Sequence, residues 1–476
     1  MVYYIADGVR PIPAGDWLYN LSVPAAGTLV CFMLNDVNGT GGNHGTQCAS
    51  AVAAGGVING NAPPYKPAYT GPGSGMVQGP ARGAEIISIG NYYSGGYYPD
   101  YYLFCALGYD GQPGTGDEPN IVSMSFGDGR TDSDGWNFES RLIDWVGRAL
   151  APDISWVISS GNGAPGYMTL TSPNPPRAVN VGASTQYGST LTFDSIVGLD
   201  QINAGDVQSW SGTGPAANGY VGVNVLANGA WGTGDVPLNE SRNGWTAWNS
   251  WGGTSRSCPE AAGVLALVYQ AFRETHQRWP TAEEAKRILM NSAVDQHYDV
   301  FRQGAGRVHA GRAVNLAAGD AGVAVHPPEW WAGDYRGTSY DAYARLVAPG
   351  QVVTTSFTLT NHGDQPLVLD ISDAQPSEIG RTEFVFHTIK TQNEDKVTSK
   401  PDYLHLLQGP GADNIPPDTD LMTLEAVFPF ADFDLNYVPH ATETIRPPYE
   451  NGFRLLAYDW TTTGQRQAAL TTPSDW

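Results

Sequence analysis

The sequence predicts an α/β fold class, with a parallel sheet covered by helices on both faces, followed by an all-β domain. Two observations predict this order. Short apolar strands alternate with helical segments through about residue 318, and after Asp320 apolar and polar residues alternate. The 476 residues also exceed what one hydrophobic core usually organises. We therefore expect two domains, residues 1–318 and residues 319–476.

The strands and helices of the first domain are clearest in three segments. Residues 85–90 predict a strand, residues 135–148 an amphipathic helix and residues 154–159 a second strand. Two segments rich in Gly, Pro, Tyr and Asn, residues 55–83 and 163–176, predict long loops that shape a cleft. Ligands of such sheets bind beyond the carboxyl ends of the strands, so that edge is where we expect the site.

The second domain shows the pattern of antiparallel strands. Residues 352–360 and 366–371 alternate in polarity and flank the turn-forming residues 361–364, which predicts a hairpin. A last strand near Phe453–Tyr458 approaches the chain end without a stop signal. We expect an immunoglobulin-like sandwich, and the sequence leaves open whether further strands follow it.

Charge and hydropathy exclude two classes of partner. A net charge of −22 argues against nucleic-acid binding, which requires a basic surface. No apolar stretch approaches 18 residues, so we expect no membrane span, and the first residues lack the basic start and apolar run of a signal peptide. The acidic excess is spread along the chain and suits salty or extracellular water, so we expect an extracellular or cell-surface protein.

The most informative motif is residues 252–263, where a glycine-rich turn delivers Ser255 to the start of a long apolar helix. The helix dipole and unpaired N–H groups then lie where negative charge develops during acyl transfer. Pro259 is expected in the first turn, where it loses no helical hydrogen bond. Such a serine is either a nucleophile or an N-cap of a core helix.

Two further motifs add a base and an oxyanion donor. His44 begins another predicted helix, and Gly45 lets the backbone turn tightly beneath the imidazole. Metal binding there is disfavoured, because only Cys48 follows at ligand spacing on that helix. Residues 157–163 form an apolar strand that ends in a Gly-Asn-Gly turn. Next to a nucleophile and a base, the Asn162 amide is a candidate oxyanion donor.

These motifs together resemble the subtilisin-like serine proteases, and most closely the large pyrolysin-like members. The resemblance covers most of residues 20–318 and rests on three short motifs in the family's order: His44-Gly45-Thr46, Ser160-Gly161-Asn162 and Gly253-Thr254-Ser255.

The resemblance implies a subtilisin-like sheet and a serine endopeptidase. Ser255 would attack the peptide carbonyl, His44 would act as general base, and Asn162 would hold the oxyanion with the Ser255 N–H. The alternative from another class is a catalytically silent relative that serves as a scaffold or binding protein.

The implied ligands are a protein or peptide substrate and no cofactor required for catalysis. The substrate-binding residues carried over from the family are Ser125, Phe126, Gly127, Ser160 and Gly161. The first three would pair with extended substrate as an added strand. Residues 132–135 are part of a calcium loop or a turn and helix cap, so a structural calcium ion stays open.

Cysteine usage points to thiols rather than disulfides. Four cysteines are too few for a disulfide scaffold in a chain of this length. Some family members carry a thiol four residues after the catalytic histidine, directly beneath it, and Cys48 matches that position. We therefore expect Cys48 to be reduced.

The triad aspartate is the member of the pattern that the sequence lacks. In the family it ends an apolar strand as Asp-x-Gly before the histidine. Asp7 follows an apolar run but lacks the intervening residue, and its surroundings resemble an insertion of the larger members. Asp36 lies too close to His44 to end a separate strand. We expect the aspartate on a separate N-terminal segment upstream of Met1, with Asp7 second and Asp36 third in preference.

Overall fold

The computed structural model describes the following residues: 2–5, 28–31, 43–56, 58–59, 68–69, 77–89, 98–127, 135, 137–163, 166–171, 173–185, 206–208, 210–216, 219–230, 232–236, 248–330, 348–373, 377–381, 383, 416, 455–459 and 466–471.

Seven helices lie in this part of the chain: α1 His44–Ala53, α2 Tyr98–Leu107, α3 Phe138–Ala149, α4 Thr254–His276, α5 Ala282–Asn291, α6 Val300–Gln303 and α7 Ala310–Ala318. Fourteen strands accompany them: β1 Val2–Ile5, β2 Thr28–Cys31, β3 Ile58–Asn59, β4 Ala68–Tyr69, β5 Ile121–Met124, β6 Ser155–Ser159, β7 Val179–Ser184, β8 Val225–Asn228, β9 Gly232–Asp235, β10 Trp248–Trp251, β11 Val323–His326, β12 Thr358–Asn361, β13 Leu455–Asp459 and β14 Arg466–Thr471.

The central element is a four-stranded parallel sheet in the order β5-β6-β7-β8. Every residue of β6, β7 and β8 is buried, as expected of parallel strands that are covered on both faces. Among the described strands, β5 pairs only with β6 and therefore forms an edge. The predicted α/β class with a parallel sheet is confirmed.

Helices cover the two faces of this sheet and form two hydrophobic cores. On one face α4 packs its buried side chains, including Leu265 and Val268, against Val157, Val181 and Val225 of the sheet, with α5 and α7 outside it. On the other face α2 and α3 pack against β5 and β6. The sheet thus fixes the position where α4 begins, which is where Ser255 lies.

Element boundaries differ from the sequence prediction in three places. The helix expected from residue 135 begins at Phe138, because the Asn137 side chain accepts a hydrogen bond from Ser140 N and caps it. Residues 84–89 pair with no strand in the described part of the chain, so the strand predicted at 85–90 is not formed there. Helix α4 begins at Thr254, so Pro259 lies beyond the first turn and that expectation is wrong.

Among the described residues, two antiparallel strand pairs follow α7 in the chain. Strand β12 pairs with β11 rather than with residues 366–371, so the predicted hairpin is wrong in its partner. The Asn291 side chain bonds the N–H and the carbonyl of Val325, and this anchored strand is the template to which β12 adds. The second pair consists of β13 and β14. The immunoglobulin-like sandwich stays a prediction.

The chain divides into two compact units. The first comprises Met1–Pro366 and Gly452–Trp476, and the second comprises Leu367–Asn451. Residues 1–318 and 319–476 stay predicted domains. None of the described helices combines the length and apolarity needed to cross a membrane.

Candidate active site

Ser255 lies in the first turn of α4, two residues after a glycine of positive φ. Gly253 has a φ of 120° and a ψ of 168°, a conformation that residues with a side chain rarely adopt. Its N–H donates to Gly229 O at 2.9 Å, which fixes the turn to the end of β8. The glycine is therefore required for the chain to enter the helix at this angle.

The carbonyl of Ser255 is bound by two other elements of the fold. Within a helix it would accept a hydrogen bond from residue 259, but Pro259 has no N–H. Ser125 Oγ, at the end of β5, donates to this carbonyl at 2.8 Å, and Cys48 Sγ, on α1, donates at 3.6 Å. Because Pro259 lies inside the helix, it leaves the Ser255 carbonyl without a helical donor, and this carbonyl joins α1, β5 and α4.

His44 is the first residue of α1 and lies in this same cluster. Cys48 Sγ is 3.7 Å from its Nδ1, so the predicted position of the thiol beside the imidazole is confirmed. The ring of Trp251 meets the imidazole edge to face, with centroids 5.7 Å apart and an interplanar angle of 81°. The thiol and the indole therefore contact His44.

The Asn162 side chain is oriented by two donors from Thr254. The N–H and the hydroxyl of Thr254 donate to Asn162 Oδ1 at 2.9 and 3.0 Å. The same hydroxyl accepts from Gly161 N at 3.1 Å. These donors fix the amide oxygen and thereby the orientation of Nδ2, and a Cβ added to Gly253 would lie 3.3 Å from Nδ2. The amide donor thus lies beside the N-terminus of α4.

The hydroxyl of Ser255 and the residues after β5 form a reciprocal pair. Ser255 Oγ donates to Ser125 O at 3.2 Å, while Ser125 Oγ bonds to the Ser255 carbonyl. Residues 125–127 follow the last paired residue of β5 and lie at the carboxyl edge of the sheet. The structure therefore brings Ser125, Ser255 and Asn162 to the edge where a site was expected.

Ser160 and Gly161 lie behind this edge rather than on it. Ser160 is 2% exposed, and its hydroxyl donates to Gly212 O at 3.1 Å. Its backbone bonds Val181 and Thr171, and Gly161 O accepts from Gly212 N at 2.7 Å. These bonds hold the strand that carries Asn162, and substrate contact by Ser160 and Gly161 stays a prediction.

Two partly buried charges lie in the first turns of α4. Arg256, the residue after Ser255, donates to Asn228 O at 2.8 Å and pairs with Glu260 at 3.5 Å. Burial lowers the pKa of Arg256, and burial raises the pKa of Glu260. Cys258, also on α4, has its pKa raised to about 11 by burial, so its thiol is inert at neutral pH.

Sequence reasoning missed two contributors to this cluster. Nothing in the sequence indicated that the hydroxyl of Ser125 reaches the carbonyl of Ser255, since the residues are 130 positions apart. Trp251 stands four residues before Ser255, but its contact with His44 depends on the β9–β10 hairpin, which the sequence did not reveal.

Three site predictions fall outside the described residues. Asp7 and Asp36 are two of them, and Asp132–Asp134 of the calcium loop is the third. Within the described part of the chain, no three His, Cys, Asp or Glu side chains group as a metal site. The triad aspartate and the calcium ion stay predictions.

Comparison with known proteins decides the family. A sequence profile of the subtilase family, peptidase S8, matches residues 33–306, which is more than half of the chain. The chain belongs to the subtilase family. The match includes the three motif residues His44, Asn162 and Ser255, as the resemblance implied.

Relatives of this subtilase include two longer groups of proteins. Tripeptidyl-peptidase 2 of Caenorhabditis elegans is 28% identical over 211 residues, 44% of this chain and 15% of that protein. Serine protease AprX of Bacillus subtilis is 26% identical over 288 residues, 57% of each chain. This subtilase therefore spans only part of the length of these curated relatives. Among solved structures, a protease of Pseudoalteromonas arctica aligns with 21% identity and a TM-score of 0.39, over 58% of this chain and 70% of that one.

Proposed function

We propose that this subtilase is a serine endopeptidase that hydrolyses peptide bonds through an acyl-enzyme on Ser255. The observation that carries the proposal is the oriented amide of Asn162, whose Nδ2 lies beside the N-terminus of the helix that bears the serine. A preorganised donor at a helix N-terminus is what an oxyanion requires. The family membership supports the same reaction.

Each residue has a role in this reaction. Ser255 Oγ leaves the carbonyl of Ser125, attacks the scissile carbonyl and passes its proton to His44. Asn162 Nδ2 and the Ser255 N–H bind the oxyanion. His44 then gives the proton to the leaving amine, and water hydrolyses the acyl-enzyme by the reverse sequence.

The substrate is an extended protein or peptide segment. Residues 125–127 continue β5 beyond its ladder with β6, which is an edge among the described strands, and they pair with the substrate as an added strand through their backbone groups. Phe126 and Gly127 then lie along the substrate beside Ser125. The chemistry uses side chains and backbone N–H groups, so we propose no cofactor for catalysis and leave a calcium ion as a structural proposal.

The aspartate that orients His44 is proposed to come from a separate N-terminal segment. Strand β1, which precedes Asp7, pairs antiparallel with β2 in a sheet of its own, apart from the parallel sheet. The side of β5 opposite β6 has no ladder partner among the described strands, which leaves an edge for such a segment. We further propose an extracellular or cell-surface location and an immunoglobulin-like sandwich for residues 319–476.

Labelling with a fluorophosphonate tests the nucleophile. We expect the full-length protein, with the N-terminal segment present, to be labelled and its Ser255→Ala variant to be unlabelled, while Ser377→Ala, at an exposed serine, serves as the matched control. An internally quenched peptide then measures hydrolysis, and the new termini show whether cleavage is internal. Labelling of Ser255→Ala would remove Ser255 from its role, and a full-length protein that is unlabelled and inactive with the N-terminal segment present favours the scaffold alternative.

The same assay locates the aspartate. If it lies on a separate segment, neither Asp7→Asn nor Asp36→Asn changes the labelling rate. A loss of about 10,000-fold in one of them assigns the triad carboxylate to this chain.

A further inference from the structure

We propose that Trp251 is a positioning residue for His44, seated by Gly234 and Gln47. This inference rests on the proposed function, in which His44 is the general base. The indole contacts the imidazole edge to face at 5.7 Å, and it belongs to the strand that leads directly into Ser255. One side chain thus links the base to the segment that delivers the nucleophile.

The seat of the indole is built from three elements. In the β9–β10 ladder Trp251 lies opposite Gly232, and its ring reaches along β9 to Gly234. A Cβ on Gly234 would lie 2.6 Å from Trp251 Nε1 and 3.0 Å from Gln47 Cγ. Gln47 is one turn after His44 on α1 and is 3% exposed. The absence of a side chain at Gly234 therefore lets the indole lie against the first turn of α1.

The indole is not held there by its own hydrogen bond. Trp251 is 5% exposed, and its Nε1 has no acceptor among the described residues. A buried N–H without an acceptor lowers the stability of the folded state. Such unpaired groups are expected where a residue serves function rather than stability. At this place the indole contacts the imidazole of His44.

This contact restricts the imidazole on one side, while the Cys48 thiol lies near Nδ1. His44 is the first residue of its helix, so no preceding turn of α1 limits its rotamers. Rotation of the ring would move its nitrogens away from the nucleophile, and misplacement by about 1 Å costs roughly 100-fold in rate. Trp251 acts through His44 and does not contact the substrate in this scheme.

Substitutions of Trp251 separate this role from simple packing. We expect Trp251→Leu to lower kcat for a peptide and the fluorophosphonate labelling rate by roughly 10- to 100-fold, with KM unchanged. Trp251→Phe keeps an aromatic ring and sacrifices no hydrogen bond, so it restores the rate to within about threefold. Trp145→Leu, at a 44% exposed tryptophan of α3, is the control for loss of an indole.

The second test displaces the indole without removing it. Gly234→Ala places a methyl group against Trp251 Nε1 and reproduces the rate loss of Trp251→Leu. Gly83→Ala is its control, because a Cβ there meets nothing within 4 Å. If Gly234→Ala and Trp251→Leu keep their full labelling rates while folded, as judged by circular dichroism, the proposal is overturned.

Nuclear magnetic resonance of the imidazole gives a readout that needs no activity. The ring current of the indole shifts the carbon-bound protons of His44, which are assigned by their loss in His44→Ala. In Trp251→Phe and Gly234→Ala these signals move, whereas Trp145→Leu leaves them in place. Unmoved signals refute the contact. An unlabelled chain whose His44 signals still respond to Trp251 would instead contradict the proposed function alone.

Discussion

Hydrogen bonds from Thr254 orient the side-chain amide of Asn162. An asparagine oxygen and nitrogen are nearly isosteric, so the orientation follows from the partners. Thr254 offers two donors to Oδ1, and these fix the nitrogen on the other side. The threonine before the serine therefore orients the amide that we propose as an oxyanion donor.

Replacing this amide tests the oxyanion role. We expect Asn162→Ala to lower kcat by roughly 100- to 1,000-fold, about 3 to 4 kcal/mol of transition-state stabilisation, while KM stays similar. Steady-state kinetics on a quenched peptide measure both values. Asn315→Ala, at an exposed position of α7, is the matched control. Unchanged turnover in Asn162→Ala would exclude the amide from the mechanism.

The start of α4 is the element on which the site depends. Gly253 provides a left-handed φ, and its missing side chain leaves Asn162 Nδ2 unobstructed. Pro259 then leaves the carbonyl of Ser255 to Ser125 and Cys48. The helix thus presents Ser255, the proposed nucleophile, and its carbonyl contacts two other elements of the fold.

Substitutions at two glycines of positive φ distinguish backbone strain from steric contact with Asn162. Gly219→Ala introduces a methyl group at a φ of 85° with nothing within 4 Å. We expect it to lower the free energy of unfolding by about 1 to 2 kcal/mol without changing fluorophosphonate labelling. Gly253→Ala carries a similar strain and also slows labelling, because its Cβ meets Asn162 Nδ2. Equal labelling rates in the two variants would contradict a role for this contact.

Local sequence patterns predicted the elements whose formation depends on residues nearby in the chain. The run of apolar residues gave β6 within one residue of its observed start, and the Gly-Thr-Ser turn before an apolar run gave the beginning of α4. The Asn137 cap, by contrast, decided the start of α3 against the apolar spacing. Hydrogen bonds of local side chains shift boundaries that periodicity alone cannot place.

The parts that sequence could not predict depend on distant partners. The sequence favoured residues 366–371 as the partner of β12, but it pairs with β11, whose Val325 is held by the side chain of Asn291. The ties from Ser125 and Cys48 to the Ser255 carbonyl likewise exist only once the sheet and α1 are assembled. Residue types indicated the nucleophile and base, but their supports required the fold.

At the scale of the whole molecule, an ion pair binds the segment after α7 to α5 within the first unit. Lys286 Nζ of α5 lies 2.5 Å from Glu329 Oε1 and donates to Pro176 O at 2.7 Å. Asn224 Nδ2 donates to the other carboxylate oxygen at 3.0 Å. The side chain of Lys286 is 6% exposed, so its charge depends on Glu329 for compensation.

Removing the carboxylate tests this dependence. We expect Glu329→Gln to lower the free energy of unfolding by about 3 to 5 kcal/mol, because Lys286 is left buried without its counter-charge. Adding Lys286→Met recovers part of the loss. Glu378→Gln, in the exposed pair with Arg381, costs less than about 1 kcal/mol. Denaturant unfolding measures all three, and an equal effect of the two glutamine substitutions would contradict a buried pair.

The carbonyl of Ser255 has a consequence for the timing of synthesis. Its two ties span 130 and 207 positions of the chain, and such long-range contacts form late because loop closure must precede them. A growing polypeptide holds His44 and Asn162 long before Ser255 has been made. The proposed nucleophile is therefore joined to α1 and β5 only when α4 docks, after His44 and Asn162 have been made.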